Sequence, residues 1–421
     1  MSGTPGAGAA CGGDGGPLRV HAAVAGCKVS RADGEAVLAL LAAGGCRPVG
    51  DPAQADVQVV LTCGVTAAAE RSSRQLARRL AAHGRPVVVA GCAAALRPEQ
   101  FADATFEVAT DGAAAAEPDA VARRVLEAGR RAGANVPGAG AVARGAGTDA
   151  APRDRTRFTL KVQDGCAGGC TYCAVRLVRG RLRSLAAPDA LAQAAAAVAA
   201  GCGEVVVSGI DVGAYRDPAT GDDLAALVRR LVALPGLRRL RLSSIEPGHL
   251  CDELLEALAD ERVARHLHVP LQSADDGVLA AMGRPYAWRD YGEAIGRARR
   301  RLPGVALSTD LIVGFPGEGD AAFARSLAVV GPDGPFARVH VFGYSPRTGT
   351  PAAELAPLDA ATVKERVRRA RAACPPRCSS KSSATARGGG TVPPTCGTTS
   401  RVRRPAAAWC ARWGRARTAT G

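Results

Sequence analysis

The sequence has no run of eighteen apolar residues in its 421, so no membrane-spanning helix is expected. Its opening stretch, MSGTPGAGAACGGDGG, lacks the basic-then-apolar build of a secretory signal, which makes a cytoplasmic location the expectation. A chain of this size in a reducing compartment does not use fourteen cysteines as a disulfide scaffold. Metal ligation, or burial as small hydrophobes, is what remains for them. Acid is missing at one end: Cys374 to Gly421 carries nine Lys or Arg and no Asp or Glu, so +9 of the net charge of +15 lies there. The remaining +6 on the body is compatible with an RNA partner without requiring one.

Also missing is a fourth cysteine where three stand together. The stretch KVQDGCAGGCTYCAVRLVRGR, residues 161–181, places Cys166, Cys170 and Cys173 in a C-x3-C-x2-C spacing. A closed zinc site takes four ligands, and no second C-x2-C or closely spaced His pair lies nearby, since Cys202 and Cys251 are isolated. Soft thiolates suit an iron–sulfur cluster, which normally takes four cysteines. Three leave one iron open to a bound molecule.

Along the chain, residues 1–17 are Gly-rich and read as disordered. From residue 18 to 131, apolar runs alternate with helical stretches: LRVHAAVAG, a helix near Asp33–Ala43, ADVQVVLTC, a helix over Ala67–Ala82, then RPVVVAGC. This predicts a small open α/β domain with a parallel sheet. Cys27, Cys63 and Cys92 each follow a strand. Carboxyl ends of parallel strands share one edge of a sheet, so the three thiols either converge there or are three separate buried small residues. Residues 132–155, rich in Gly, Ala and Pro, read as a linker. Residues 156–373 carry six strand-like runs, RFTLKV, EVVVSGI, LRRLRLSSI, HLHVPL, VALSTDLIVGF and ARVHVFGYS, at the spacing of a partial (βα) TIM barrel. Residues 374–421 form a basic tail.

The cysteine loop, with Tyr172 before its last ligand, resembles that of the radical S-adenosylmethionine superfamily. There the cofactor's amino and carboxylate groups take the fourth iron, and an electron from the cluster cleaves a carbon–sulfur bond to give a 5′-deoxyadenosyl radical. GCKVSRADGE, LTCGVTAAAERSSRQ and VAGCAAALRPE are similar to the N-terminal domain of the methylthiotransferases within it. LSSIEP, HVPLQSADDGVLAAMGRPY, TDLIVGFPGE and HVFGYSPRTGTPAAEL are similar to their radical domain. The resemblance implies a radical SAM partial TIM barrel and two 4Fe–4S clusters, one on Cys166, Cys170 and Cys173, the other on Cys27, Cys63 and Cys92. It further implies S-adenosylmethionine as cofactor, with Ser208, Gly209, Glu246, Gln272 and Asp310 as candidate contacts to it or to substrate. The wording QDGC and LSSIEP is most like the branch that adds a methylthio group to C2 of N6-threonylcarbamoyladenosine beside the tRNA anticodon. The isopentenyladenosine and ribosomal-protein aspartate branches are its near rivals. The implied partners are the tRNA anticodon stem-loop and an electron donor such as flavodoxin or ferredoxin. A monomer is expected.

Several residues carry weaker expectations. Arg179–Arg183, RGRLR, is a candidate phosphate or carboxylate contact. Gly314, Pro316 and Gly317 are expected to shape a turn. His266 and His268, two apart on a strand, face one side and are expected to belong to the strand rather than to a metal site. Thr62 stands where the family usually has Asn, Ala95 where it has Gln, and Arg176 where it often has Pro; these changes are expected to loosen support around the ligands. The family's C-terminal RNA-gripping β-barrel, the TRAM domain, has no counterpart in the tail, which reads as disordered. A frameshift near Ala373 is the expected origin. An inactive, RNA-binding remnant and a real basic tail are the rival readings, and Cys374, Cys378, Cys396 and Cys410 fit no zinc-ribbon spacing.

Overall fold

In the computed structural model the described residues are 16–102, 106–108, 117–136 and 156–375. The expected disorder at 1–15 and the tail from 376 on lie outside them, as does most of the expected linker.

The first sheet has five parallel strands: β1 (Arg19–Ala25), β2 (Arg47–Pro48), β3 (Val57–Thr62), β4 (Val87–Gly91) and β5 (Phe106–Val108), in the order β2-β1-β3-β4-β5. Every residue of β3 and β4 is buried, as expected of central strands covered on both faces. The covering helices are α1 (Lys28–Ala43), α2 (Ala67–Ala81), α3 (Cys92–Leu96) and α4 (Pro118–Arg131). Helix α2 starts where the Thr66 hydroxyl accepts from the Ala69 amide at 3.1 Å, with Glu70 in its first turn and Arg78 and Arg79 in its last, each placed to oppose the helix dipole. Helix α1 begins five residues before the position expected from the pattern, because Val29, Ser30 and Ala32 are buried as well.

The second unit runs β6 (Arg157–Lys161), the short antiparallel pair β7 (Gln163–Asp164) and β8 (Arg183–Ser184) flanking α5 (Val175–Arg179), α6 (Ala187–Ala199), β9 (Glu204–Ser208), α7 (Leu224–Val232), β10 (Arg239–Leu242), α8 (Asp252–Ala257), β11 (His266–His268), α9 (Asp276–Ala281), α10 (Trp288–Arg301), β12 (Ala306–Val313), α11 (Asp320–Val330), β13 (Arg338–Gly343) and α12 (Ala360–Ala373). Strands β6, β9 and β10 pair in parallel, as do β11, β12 and β13. Parallel bridges Leu240–Val263 and Ser244–His268 join the two triplets into one curved sheet, an open barrel of six strands. Its apolar core lies between strands and outer helices, around Leu160, Val205, Leu240, Leu267, Leu307 and Leu311.

The two units meet through α1, which packs on β6, and through ion pairs. Lys161 on β6 reaches Asp33 on α1 at 2.6 Å, Arg179 reaches the same carboxylate at 2.8 Å, and Arg347 pairs with Glu70 on α2. Arg179, Asp33, Arg347 and Glu70 are all buried. Removing one member of such a pair leaves an uncompensated charge, so these contacts fix the orientation of one unit on the other.

Candidate metal centre

Cys27, Cys63 and Cys92 follow β1, β3 and β4, which lie side by side in the sheet, and the sheet's carboxyl edge brings them together. Cys27 and Cys92 both lie close enough to Cys63 to interact with it electrostatically. A Cβ built at Gly26 would stand 3.5 Å from Cβ of Cys63, and one at Gly64 would stand 3.2 Å from the Cys92 carbonyl carbon. The Thr62 hydroxyl donates to Ala90 O at 2.7 Å and accepts from the Ala94 amide at 3.1 Å, lashing the turn that carries Cys92 to the strand that carries Cys63. The expected loosening at Thr62 is therefore corrected: a hydroxyl bridges both backbones. Arg176 likewise braces the other loop, donating to Gly168 O at 3.3 Å.

Cys166, Cys170 and Cys173 follow β7 and precede α5. Cys170 and Cys166 both lie close enough to Cys173 to interact with it electrostatically. The loop is pinned at its middle, where the Thr171 amide and hydroxyl donate to Met282 O and Ala281 O at 3.0 and 2.8 Å. Burial raises the thiol pKa of Cys63 and Cys173 to about 11 and raises those of Cys92 and Cys166. Burial thus opposes ionisation, and a cationic group has to repay the desolvation of each thiolate. The donor chemistry fits an iron–sulfur cube at each triad: three soft sulfurs in a set. The ten described cysteines are all free, and Cys46 and Cys202 belong to apolar clusters away from both sets.

One cysteine of each triad opens on the same space. A cavity of about 190 Å³ is lined by Cys92 and Gly64 from the first unit and by Cys173, Tyr172, Gln272, Asp310, Phe342 and Tyr344 from the second. Of the expected contact residues, Gln272 and Asp310 line this cavity. Gln272 has φ 69°, the one positive φ at a non-glycine among the described residues, a strained setting of the kind concentrated at binding sites. Glu246 sits beside the barrel triad: its charge acts on Cys166, it pairs with Arg284, and burial raises its pKa against that pairing. Ser208 is buried at the end of β9, and a Cβ at Gly209 would meet Gln163 at 3.0 Å; neither lines the cavity. Gly314 and Gly317 both have positive φ, at the turn after β12.

Two features lie beyond any local sequence pattern. The RGRLR run divides: Arg181 and Arg183 are exposed, but Arg179 is 1% exposed and its contacts are Asp33, Asp164 and Cys92 within the protein. Arg179 thus pairs with two carboxylates of the protein itself. The second feature is His340, in register with Asp310 across β12 and β13. Asp310 faces His268 Nε2 and His340 Nδ1, each at 3.1 Å. Burial would raise the Asp310 pKa, but these two hydrogen bonds hold it at about 2. His268, Asp310 and His340 are the one group of three His, Cys, Asp or Glu among the described residues whose ligand atoms lie within 4.8 Å of one another. His266 is outside it and shares the Ser308 hydroxyl with His268, each at 2.9 Å.

Residues 160–330 match the family model described as the Radical SAM superfamily, and residues 19–110 match the one described as uncharacterized protein family UPF0004. The chain is 34% identical over 360 residues to the probable threonylcarbamoyladenosine tRNA methylthiotransferase of Pyrococcus horikoshii, covering 83% of this chain and 82% of that protein. It is 36% identical over 362 residues to the ribosomal protein uS12 methylthiotransferase RimO of Anaeromyxobacter sp., covering 80% of this chain and 73% of that one. Among solved structures, the radical S-adenosylmethionine methyltransferase TsrM from Kitasatospora setae, with cobalamin and a [4Fe-4S] cluster bound, aligns at a TM-score of 0.56 over 80% of this chain and 74% of that chain. At 15% identity this is a likeness of fold. No helix among the described residues is long and apolar enough to cross a membrane.

Proposed function

The chain belongs to the radical S-adenosylmethionine methylthiotransferase family, and on that premise we propose that it transfers a methylthio group to C2 of N6-threonylcarbamoyladenosine in the anticodon loop of tRNA. The observation that carries this reading is the single cavity on which Cys92 of one triad and Cys173 of the other both open. C2 of adenine bears an unactivated C–H bond beyond the reach of side-chain acids and bases, so a cofactor has to do the hard step. In this reading Cys166, Cys170 and Cys173 hold a 4Fe–4S centre that, with S-adenosylmethionine, supplies radical chemistry, while Cys27, Cys63 and Cys92 hold a second that supplies sulfur.

The chain's own residues bind, orient and exclude water. Tyr172, Phe342 and Tyr344 give the cavity flat apolar walls suited to a base taken out of its stack. Gln272 and Asp310 supply the polar contacts that fix its orientation. The pair of Glu246 with Arg284 places a carboxylate and a guanidinium beside the barrel triad, where the zwitterionic cofactor would be held. A one-electron donor such as flavodoxin or ferredoxin completes the cycle.

The likeness to RimO supports a second reading, transfer to an aspartate of a ribosomal protein. Nucleoside analysis of tRNA from cells with and without the gene separates the two. The 2-methylthio form of the threonylcarbamoyl nucleoside is expected to depend on the gene. An unchanged nucleoside profile with a gene-dependent mass change of the ribosomal protein moves the substrate to the second reading.

A further inference from the structure

We propose that Arg179 and Arg284 are matched positioning residues, each donating a hydrogen bond to one cysteine sulfur of one triad and so setting the reduction potential of the centre held there. Arg179 Nε donates to Cys92 Sγ at 3.3 Å, and Arg284 Nη1 donates to Cys170 Sγ at 3.2 Å. Both side chains are buried, at 1% and 4% exposure. The inference rests on the two-centre reading above, and adds to it which side chains govern each centre.

Neither guanidinium is free to turn away. Arg179 gives Nη1 to Asp164 at 3.1 Å and Nη2 to Asp33 at 2.8 Å, leaving Nε for sulfur. Lys161 joins both carboxylates at 2.6 Å, closing a quartet of two cations and two anions. Arg284 pairs with Glu246, donates Nε to Tyr286 Oη at 3.0 Å, and lies 4.8 Å from the centre of the Tyr286 ring. Because carboxylates offset each guanidinium, the specific contribution at each site is the N–H···S hydrogen bond rather than net charge. Hydrogen bonds to the sulfurs stabilise the more negative, reduced state of such a centre and raise its potential.

The placement also ties the two loops. Arg179 ends α5, which directly follows the barrel triad, and Asp164 stands two residues before Cys166. Asp33 lies on α1, whose first residue follows Cys27. One side chain therefore reaches both flanks of the barrel loop and two of the three elements bearing the other triad. Arg284 has no such reach: it touches the barrel triad alone.

The test uses the full chain, reconstituted anaerobically with iron and sulfide. Replacing Cys166, Cys170 and Cys173 by Ala leaves the N-terminal centre for observation; replacing Cys27, Cys63 and Cys92 leaves the barrel centre. Each is titrated with dithionite, a one-electron reductant, and followed by electron paramagnetic resonance. Arg179→Gln is expected to lower the reduced-to-oxidised ratio of the N-terminal centre about tenfold at a fixed poise, about 59 mV for one electron, and to leave the barrel centre unmoved. Arg284→Gln is expected to do the reverse. Arg179→Lys keeps the charge for Asp33 and Asp164 but lacks Nε, so it should restore the unfolding midpoint while the potential stays shifted; it also stands in if the Gln variant fails to fold. Loaded centres with unchanged potentials, or either variant moving both centres alike, would overturn the proposal. If no centre assembles on Cys27, Cys63 and Cys92 of the unaltered chain, the two-centre reading fails and the Arg179 claim with it, whereas the Arg284 claim is still decided by the barrel centre.

Discussion

Asp310 keeps its charge because two imidazoles face it, while His266, two residues before His268 on β11, is kept neutral. Burial, seconded by the positive charge of Arg241, lowers the His266 pKa to about 4. An unfolded chain binds that proton near pH 6.5, so His266 contributes stability in full above pH 6.5 and loses it as the pH falls towards 4. Asp310, depressed to about 2, loses its contribution lower, from about 3.8 down to 2. The His266 contribution is therefore expected to fall away between pH 6.5 and 4, so His266→Gln should lose less stability over that range than the unaltered chain; denaturant midpoints across the range measure it, and equal slopes for both proteins would contradict the assignment. The sequence makes His266 and His268 visible as a same-face pair. It hides His340, whose partner Asp310 lies 30 residues away on the neighbouring strand. Arg179 and Arg284 were hidden for the same reason, since the sulfurs they meet are 87 and 114 residues distant.

Two of the cysteine loops turn on a glycine that packs against backbone. Gly91, just before Cys92, has φ 95°, and a Cβ there would lie 2.7 Å from Thr62 O. Gly165, just before Cys166, has φ 70°, and a Cβ would lie 2.0 Å from Arg181 O across the β7–β8 pair. Backbone cannot step aside as a flexible side chain can, so Gly91→Ala and Gly165→Ala combine left-handed strain, of order 1–3 kcal/mol, with a steric clash. Both variants are expected to unfold at lower denaturant, and each to lose iron from the adjacent triad; retention of full iron and stability by either would show that the loop does not need its close approach. Strands β3 and β4 were legible because Val-rich runs leading into Cys mark their carboxyl ends. Strands β2 and β5, two and three residues long, carry too little pattern to be read, and the start of α1 was missed because its first turn is buried for the sake of the other unit.

At the scale of the molecule, a five-stranded parallel sheet is set against the open barrel so that the carboxyl edge of one faces the mouth of the other. The α/β class and the six barrel strands follow from alternation of apolar runs and helices, and the cysteine triads from spacing together with family likeness. What holds the units face to face, the quartet of Lys161, Arg179, Asp33 and Asp164 and the pair of Arg347 with Glu70, joins residues up to 277 positions apart and is written in no local pattern. These buried pairs position one triad opposite the other across the shared cavity. The most direct test of that arrangement is the iron and sulfide content of the anaerobically reconstituted full chain beside its two triple cysteine variants. Two cubes predict about eight irons per chain, falling to about four when either Cys27, Cys63 and Cys92 or Cys166, Cys170 and Cys173 are replaced. About four irons in the unaltered chain, unchanged by loss of the first three cysteines, would contradict it.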